Sequence, residues 1–141
     1  MKINIKPSDC KFVVNKEKGK VICILEETQD KLFEYIDENE SHFSYLSVAA
    51  DRKNIIHMPN RFIGIATCSP DDEWNESLGR RIAFYKMRNK FYHCLFKRAD
   101  AFVNWIDDNL NQLVEEFNSW GDKVRENLDK EKDRIETQLK K

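Results

Sequence analysis

The chain of 141 residues lacks the signatures of membrane, disulfide-bonded and metal proteins. No run approaches the ~20 apolar residues that a membrane helix needs. The first five residues alternate like a strand and contain no apolar signal-peptide core. The four cysteines form no C-x-x-C pair, and no histidine lies at ligand spacing from them. We therefore expect a cytoplasmic protein with reduced thiols, no metal and no cofactor.

Catalytic motifs are also missing. The sequence has no phosphate-binding loop, no dinucleotide fingerprint and no H-E-x-x-H motif. Asp71, Asp72 and Glu73 cluster like metal ligands, but the dipole of a helix N-terminus attracts acids, and we favour that explanation. Ser69 has no histidine nearby in sequence and is interpreted as a helix cap. The sequence therefore predicts a binding protein and not an enzyme.

Glycine and proline are scarce, and their positions divide the chain near residue 70. There are four glycines and three prolines, and no proline follows Pro70. Short runs of β-branched and aromatic residues precede this point, and long helical patterns follow it. We predict a single α+β domain, with a mainly antiparallel β-sheet over residues 1–68 and long α-helices over residues 69–141.

Three hairpins are predicted in the first part, each from two such runs separated by a turn. In the second part a helix begins either at Ser69, with Pro70 at its first position, or at Asn75. The hairpins give a sheet of five to seven strands. The paired runs are residues 11–14 with 20–25, 32–36 with 43–48, and 54–58 with 61–67.

The later helical region carries apolar residues at heptad spacing, which is typical of a helix lying along another helix. This pattern slips at Leu128 and resumes at Ile135 and Leu139, while Gly121 either breaks the helix or weakens it. Exposing such a stripe is something soluble monomers avoid. We therefore predict a homo-oligomer, at least a dimer, held partly by Ile106, Leu110, Leu113, Phe117 and Trp120.

Positive charge is concentrated between Arg80 and Arg98. This window holds seven Lys or Arg, five aromatics and no acid, although the net charge of the whole chain is −1. At 100° per residue it resolves into three sides. The first side is expected to pack on the sheet and consists of Ala83, Phe84, Met87, Phe91, Cys94 and Leu95. The second, basic side consists of Lys86, Lys90, His93 and Lys97. The third side alternates aromatic rings with guanidinium groups and consists of Arg81, Tyr85, Arg88, Asn89, Tyr92 and Phe96.

Each charged side admits two interpretations. The lysine side is either a solvated face or a contact for phosphates or an acidic subunit. The third side is either an inter-helix contact with the acidic residues 107–116 or a nucleotide pocket. In the pocket, Tyr85 or Tyr92 stacks a base, Arg81 and Arg88 bind phosphate, and Asn89 is a polar contact. Trp74 is either a plug into the core or a surface for a ligand ring.

The segment from Phe62 to Ala83 contains the pattern G-x-A-x-C-x-P-x-D-x-[FW], from Gly64 to Trp74, followed by G-[KR]-x-x-A, from Gly79 to Ala83. This pattern resembles that of small phage and prophage proteins, and the whole chain is most similar to the phage anti-Thoeris sponges of the first described type. The resemblance implies a phage-encoded anti-defence protein in the host cytoplasm. Such proteins sequester cyclic ADP-ribose isomers, and some hold cyclic oligonucleotides, without degrading them.

The resemblance also implies dimers that build larger oligomers, with ligand pockets between protomers. Asn60, Arg61 and Trp74 would then complete a pocket formed with the Arg81–Tyr92 side. Two alternatives stay open. The first is an RNA- or DNA-binding module with a double-stranded-RNA-binding-domain-like fold, which the sequence pI of about 6.3 disfavours. The second is a phage protein-protein inhibitor or assembly protein, since Arg and Tyr dominate binding hot spots.

Overall fold

A computed structural model describes residues 4–34, 49–50 and 53–141. A short 3-10 turn at Pro7–Asp9 is followed by strands β1 (Lys11–Asn15), β2 (Lys20–Glu26) and β3 (Arg61–Thr67) and by the long helix α1 (Glu76–Leu139). Both strand pairings, β1 with β2 and β2 with β3, are antiparallel. The predicted α+β fold, an N-terminal antiparallel sheet followed by long helical structure, is confirmed.

The first hairpin forms where its turn residues predicted it. Asn15 pairs with Lys20, and Gly19 takes a positive φ of 59°, which its lack of a Cβ permits. The Asn15 side chain accepts a hydrogen bond from the Lys18 backbone N–H at 2.9 Å, and Gly19 N–H donates to the Lys16 carbonyl. The glycine signal therefore identified a real turn.

In the other two predicted hairpins, the run over residues 61–67 is confirmed as β3, whereas the first run of each hairpin is wrong where it can be compared. Residues 31–34 are helical, so the strand predicted over 32–36 is wrong there, while residues 35–48 lie outside the described residues. Residues 54–58 are turn and irregular backbone and contain no strand. Buried Thr28 ties the end of β2 to the residues just before β3, because its backbone N–H donates to the Asn60 carbonyl and its hydroxyl to the Pro59 carbonyl.

Helix α1 packs on the sheet through small residues. A Cβ on Gly64 would lie 2.0 Å from the Ala83 carbonyl oxygen, and one on Gly79 would lie 2.8 Å from a Val21 methyl. Further along, the rings of Phe62 and Phe91 meet edge to face at 5.5 Å. As residue numbers increase along α1, the residues that it contacts in β3 have decreasing numbers, so the helix runs antiparallel to that strand.

The start of α1 is set by Asn75, whose side-chain oxygen accepts a hydrogen bond from the Leu78 N–H at 2.9 Å. Of the two predicted starts the later is correct; the earlier is wrong because Ser69 and Pro70 lie in a preceding turn. Gly121 does not break the helix. The chain divides into two units within α1, Met1–Val103 and Asn104–Lys141.

The described ranges contain no helix with the length and apolar character needed to cross a membrane.

Candidate functional site

A groove of about 760 Å³ lies between the N-terminal segment and the first turns of α1. Its size falls within the ~300–1,000 Å³ range of small-molecule sites. Three arginines and three aromatic rings dominate its lining, together with a serine, a proline and two aliphatic side chains. The lining residues are Pro7, Ser8, Phe12, Leu78, Arg80, Arg81, Ile82, Phe84, Tyr85 and Arg88.

The local sequence explains both walls. Asp9 closes the 3-10 turn by accepting a hydrogen bond from the Lys6 N–H at 2.7 Å, and β1 begins two residues later, which places Phe12 at the groove. On the opposite wall, Arg81, Tyr85 and Arg88 are spaced i, i+4 and i+7, so that they lie along one face of α1.

Aromatic rings hold two of the arginines. The guanidinium of Arg80 lies 5.1 Å from the Phe12 ring centroid, and that of Arg88 lies 5.3 Å from the Phe84 centroid. A guanidinium stacked on a ring loses side-chain freedom but keeps N–H groups in its plane for an oxygen ligand. Arg80 also bonds to Glu76 at 2.9 Å, so part of its charge is already balanced.

Arg81 and Arg88 have no carboxylate partner among the residues that the structure describes. No acid among these described residues lines the groove either. Two guanidinium groups with unbalanced charge beside aromatic rings favour an anionic ligand that also carries a ring.

Three of the eight predicted site residues meet in this groove: Arg81, Tyr85 and Arg88. Asn89 is exposed on α1 outside the lining. Tyr92 is half-buried and contributes to packing, because its hydroxyl accepts a hydrogen bond from the Ile5 N–H at 3.4 Å and its ring stacks on Phe96.

The other three predicted residues lie elsewhere in the chain. Trp74 is half-buried and lines a second cavity of about 390 Å³, with Cys68, Gly79 and neighbouring residues. Asn60 and Arg61 stand at the beginning of β3, whereas the first turns of α1 meet the opposite end of that strand. The structure of one chain does not bring these three residues to the groove that Arg81 lines, called the Arg81 groove below.

Sequence reasoning missed two rings of the groove. Phe84 was assigned to the side that packs on the sheet, but it is half-buried and supports Arg88. Phe12 shares the sheet face of buried Cys23, its register partner, yet only the packing of α1 beside β1 brings it to Arg80. Alternation along β1 marks the face of Phe12, while the contact itself depends on tertiary structure.

Two lysines of the basic side have a structural role. The ammonium of Lys86 donates to the Ile65 carbonyl at 3.1 Å, and that of Lys90 donates to the Ile63 carbonyl at 2.9 Å. Within the described residues β3 is an edge strand, and lysines on such an edge oppose pairing with another sheet. These contacts reduce the donors available to a phosphate backbone.

The four cysteines are free thiols in this structure. Burial raises the pKa of the Cys23 thiol to about 12, so this thiol stays protonated and unreactive near neutral pH. The described parts of the chain contain no cluster of three or more metal-ligating side chains.

Comparison of the chain with protein-family models, curated proteins and solved structures finds no match. The residues that line the groove are therefore the main indication of function.

Proposed function

We propose that this protein binds a phosphorylated nucleotide in the Arg81 groove and holds it without chemical change. The observation that carries the proposal is the lining itself, in which Arg81 and Arg88 have no carboxylate partner among the described residues and stand beside three rings. Phosphate oxygens accept hydrogen bonds from a guanidinium in a paired geometry, and a base stacks on an aromatic face.

The groove offers a separate place for each part of such a ligand. Tyr85 is 56% exposed and can present its ring to a base. Arg88, held against Phe84, is already oriented, so less side-chain entropy is lost when it binds phosphate. The Ser8 hydroxyl on the opposite wall is available to a ribose hydroxyl.

The resemblance to anti-Thoeris sponges supports a particular class of ligand, a cyclic ADP-ribose isomer or a cyclic oligonucleotide. Capturing such a signal in the cytoplasm of an infected host would be an anti-defence activity. This assignment depends on the motif from Gly64 to Ala83, whereas the nucleotide class depends on the groove.

Calorimetric titration of the full chain with cyclic ADP-ribose isomers, cyclic dinucleotides and a short RNA duplex tests the proposal. We expect saturable binding of a nucleotide, and mass spectrometry of the heat-released ligand should recover it intact. Arg81→Ala should weaken binding at least tenfold. Lys16→Ala is the control, because it removes one positive charge from an exposed turn residue that lies outside the groove.

Other outcomes would replace the proposal. A converted ligand would indicate an enzyme, and binding of the duplex alone would indicate a nucleic-acid module. Equal losses in Arg81→Ala and Lys16→Ala would show that general charge, and not the groove, attracts the ligand.

A further inference from the structure

The unit Asn104–Lys141 carries an exposed apolar stripe. From residue 107 to residue 141 every residue is exposed except half-buried Gly121. Phe117, Trp120 and Leu128 are each 64% exposed, and soluble proteins seldom leave such a surface uncovered. The exposed members of the stripe are Leu110, Leu113, Phe117, Trp120, Val124, Leu128, Ile135 and Leu139.

The stripe is straight despite the change of spacing at Leu128. At 100° per residue, Ile106 and the exposed members lie within an arc of about 100°. The heptad steps end at Val124. Two intervals of 11 residues, from Phe117 to Leu128 and from Leu128 to Leu139, carry the stripe to the end of α1, and an 11-residue repeat removes the left-handed drift of a heptad seam. The stripe therefore forms one straight helix face that is suited to packing against another helix.

Charge identifies the partner as a second copy in the opposite direction. Residues 106–122 contain five acids and no Lys or Arg, whereas residues 123–139 contain five Lys or Arg and five acids, so the two halves carry −5 and 0; Lys140 and Lys141 add +2 just beyond the second half. A parallel pair would place −5 beside −5, while an antiparallel pair places each −5 half beside a half that holds five cations.

Most apolar positions match in that direction as well, and Leu113 faces Lys132. When Asp122 of one copy faces Lys123 of the other, Ile106 meets Leu139, Leu110 meets Ile135 and Phe117 meets Leu128. Near the centre, Val124 meets Trp120 and Gly121. A Cβ at Gly121 would meet nothing within 4 Å, so this position leaves room on the seam for the indole of the other copy.

We propose that two copies of this chain pair through residues 106–139 as an antiparallel two-helix coil centred between Asp122 and Lys123. The pairing does not depend on the nucleotide groove, whose lining residues all precede residue 89.

Photo-crosslinking of the full chain gives the direction of pairing. Phe117 is replaced by p-benzoylphenylalanine, and the crosslinked peptides are identified by mass spectrometry after trypsin digestion. The antiparallel coil is expected to join position 117 to the peptide 126–130, which contains Leu128. A crosslink between two copies of position 117 would show a parallel pair and would overturn the proposal. The same replacement at Ser119, on the opposite side of α1, should give no crosslink between copies.

Light scattering at the same concentrations gives the stoichiometry. We expect about twice the chain mass of 16.8 kDa. Leu128→Asp should raise the dimer dissociation constant at least a hundredfold, whereas Asn127→Asp, its exposed neighbour, should change it less than threefold. The unaltered chain at 16.8 kDa at millimolar concentration, or a trimer or tetramer, would overturn the proposal.

Discussion

Replacing Arg88 by alanine distinguishes two roles for this residue, ligand binding and structural packing. The guanidinium of Arg88 lies 5.3 Å from the Phe84 centroid and has no carboxylate partner among the described residues. In the folded protein alone, the substitution therefore removes one partly exposed cation–π contact, worth about 0.5–1 kcal/mol. With a nucleotide bound, it also removes a hydrogen bond to a charged group, worth about 1.5–3 kcal/mol. We expect affinity to fall about ten- to hundredfold while stability changes little.

Titration calorimetry and urea unfolding measure the two effects on the same preparation. Phe84→Leu is the informative companion variant, because it keeps an apolar side chain but removes the ring beneath Arg88. If that ring orients the guanidinium, Phe84→Leu should lose part of the affinity. The double variant should then lose less than the sum of the single losses.

The opposite outcome is that Arg88→Ala unfolds the protein or disperses an oligomer while nucleotide affinity stays intact. Such a result would assign the Arg81–Tyr85–Arg88 face to an interface between helices. An unchanged affinity in a stable, unaltered assembly would equally remove Arg88 from the site.

Three further predictions concern the scaffold. Gly64→Ala places a Cβ 2.0 Å from the Ala83 carbonyl oxygen, so we expect a loss of about 3 kcal/mol in urea unfolding, and an unchanged midpoint would contradict this packing. Asn75→Ala removes the acceptor for the Leu78 N–H and should cost about 1 kcal/mol by the same assay, whereas Asn75→Asp should cost almost nothing. Because the pKa of Cys23 is raised to about 12, its folded form favours the neutral thiol; its contribution to stability should be complete at neutral pH and should be lost as pH approaches 12. Unfolding curves of Cys23→Ala should then show a weaker alkaline decline than those of the unaltered protein.

The sequence predicted features that depend on local pattern. The turn at Gly19, the strands around it, β3 and the long helix all follow from turn residues and from the period of apolar residues. The strands predicted at residues 32–34 and 54–58 are wrong because short aromatic and β-branched runs also occur in helices and in irregular connections. Buried Ile56 and Met58 show the difficulty, since both lie in the core without belonging to a strand.

The groove was predictable in part. The spacing of Arg81, Tyr85 and Arg88 placed them on one side of α1, and the structure brings all three to the same groove. Phe12 could not be found in this way, because its contact with Arg80 joins residues 68 positions apart. Tyr92 satisfied the same helical spacing, but its hydroxyl bonds to the Ile5 N–H, a contact that periodicity does not encode.

The seven cations of residues 80–98 illustrate why a charge count does not identify a function. Lys86 and Lys90 bond to carbonyls of β3, Arg80 bonds to Glu76, and Arg81 and Arg88 face the groove. The concentration of charge that first indicated a nucleotide ligand therefore serves several purposes, and only part of it is available to a ligand.

Measuring nucleotide binding in a variant that cannot pair tests whether the binding site is complete in one chain. The groove residues precede residue 89 and the apolar stripe follows residue 105, so Leu128→Asp alters the pairing without removing any side chain from the groove lining. If one chain is sufficient, this monomeric variant should bind nucleotide with unchanged affinity and one ligand per chain. If a second chain supplies part of the site, as the resemblance to anti-Thoeris sponges implies, affinity should fall with dissociation and recover at protein concentrations that restore the dimer. A loss that does not recover, in a variant with unchanged helical content, would mean that residue 128 affects the groove by another route.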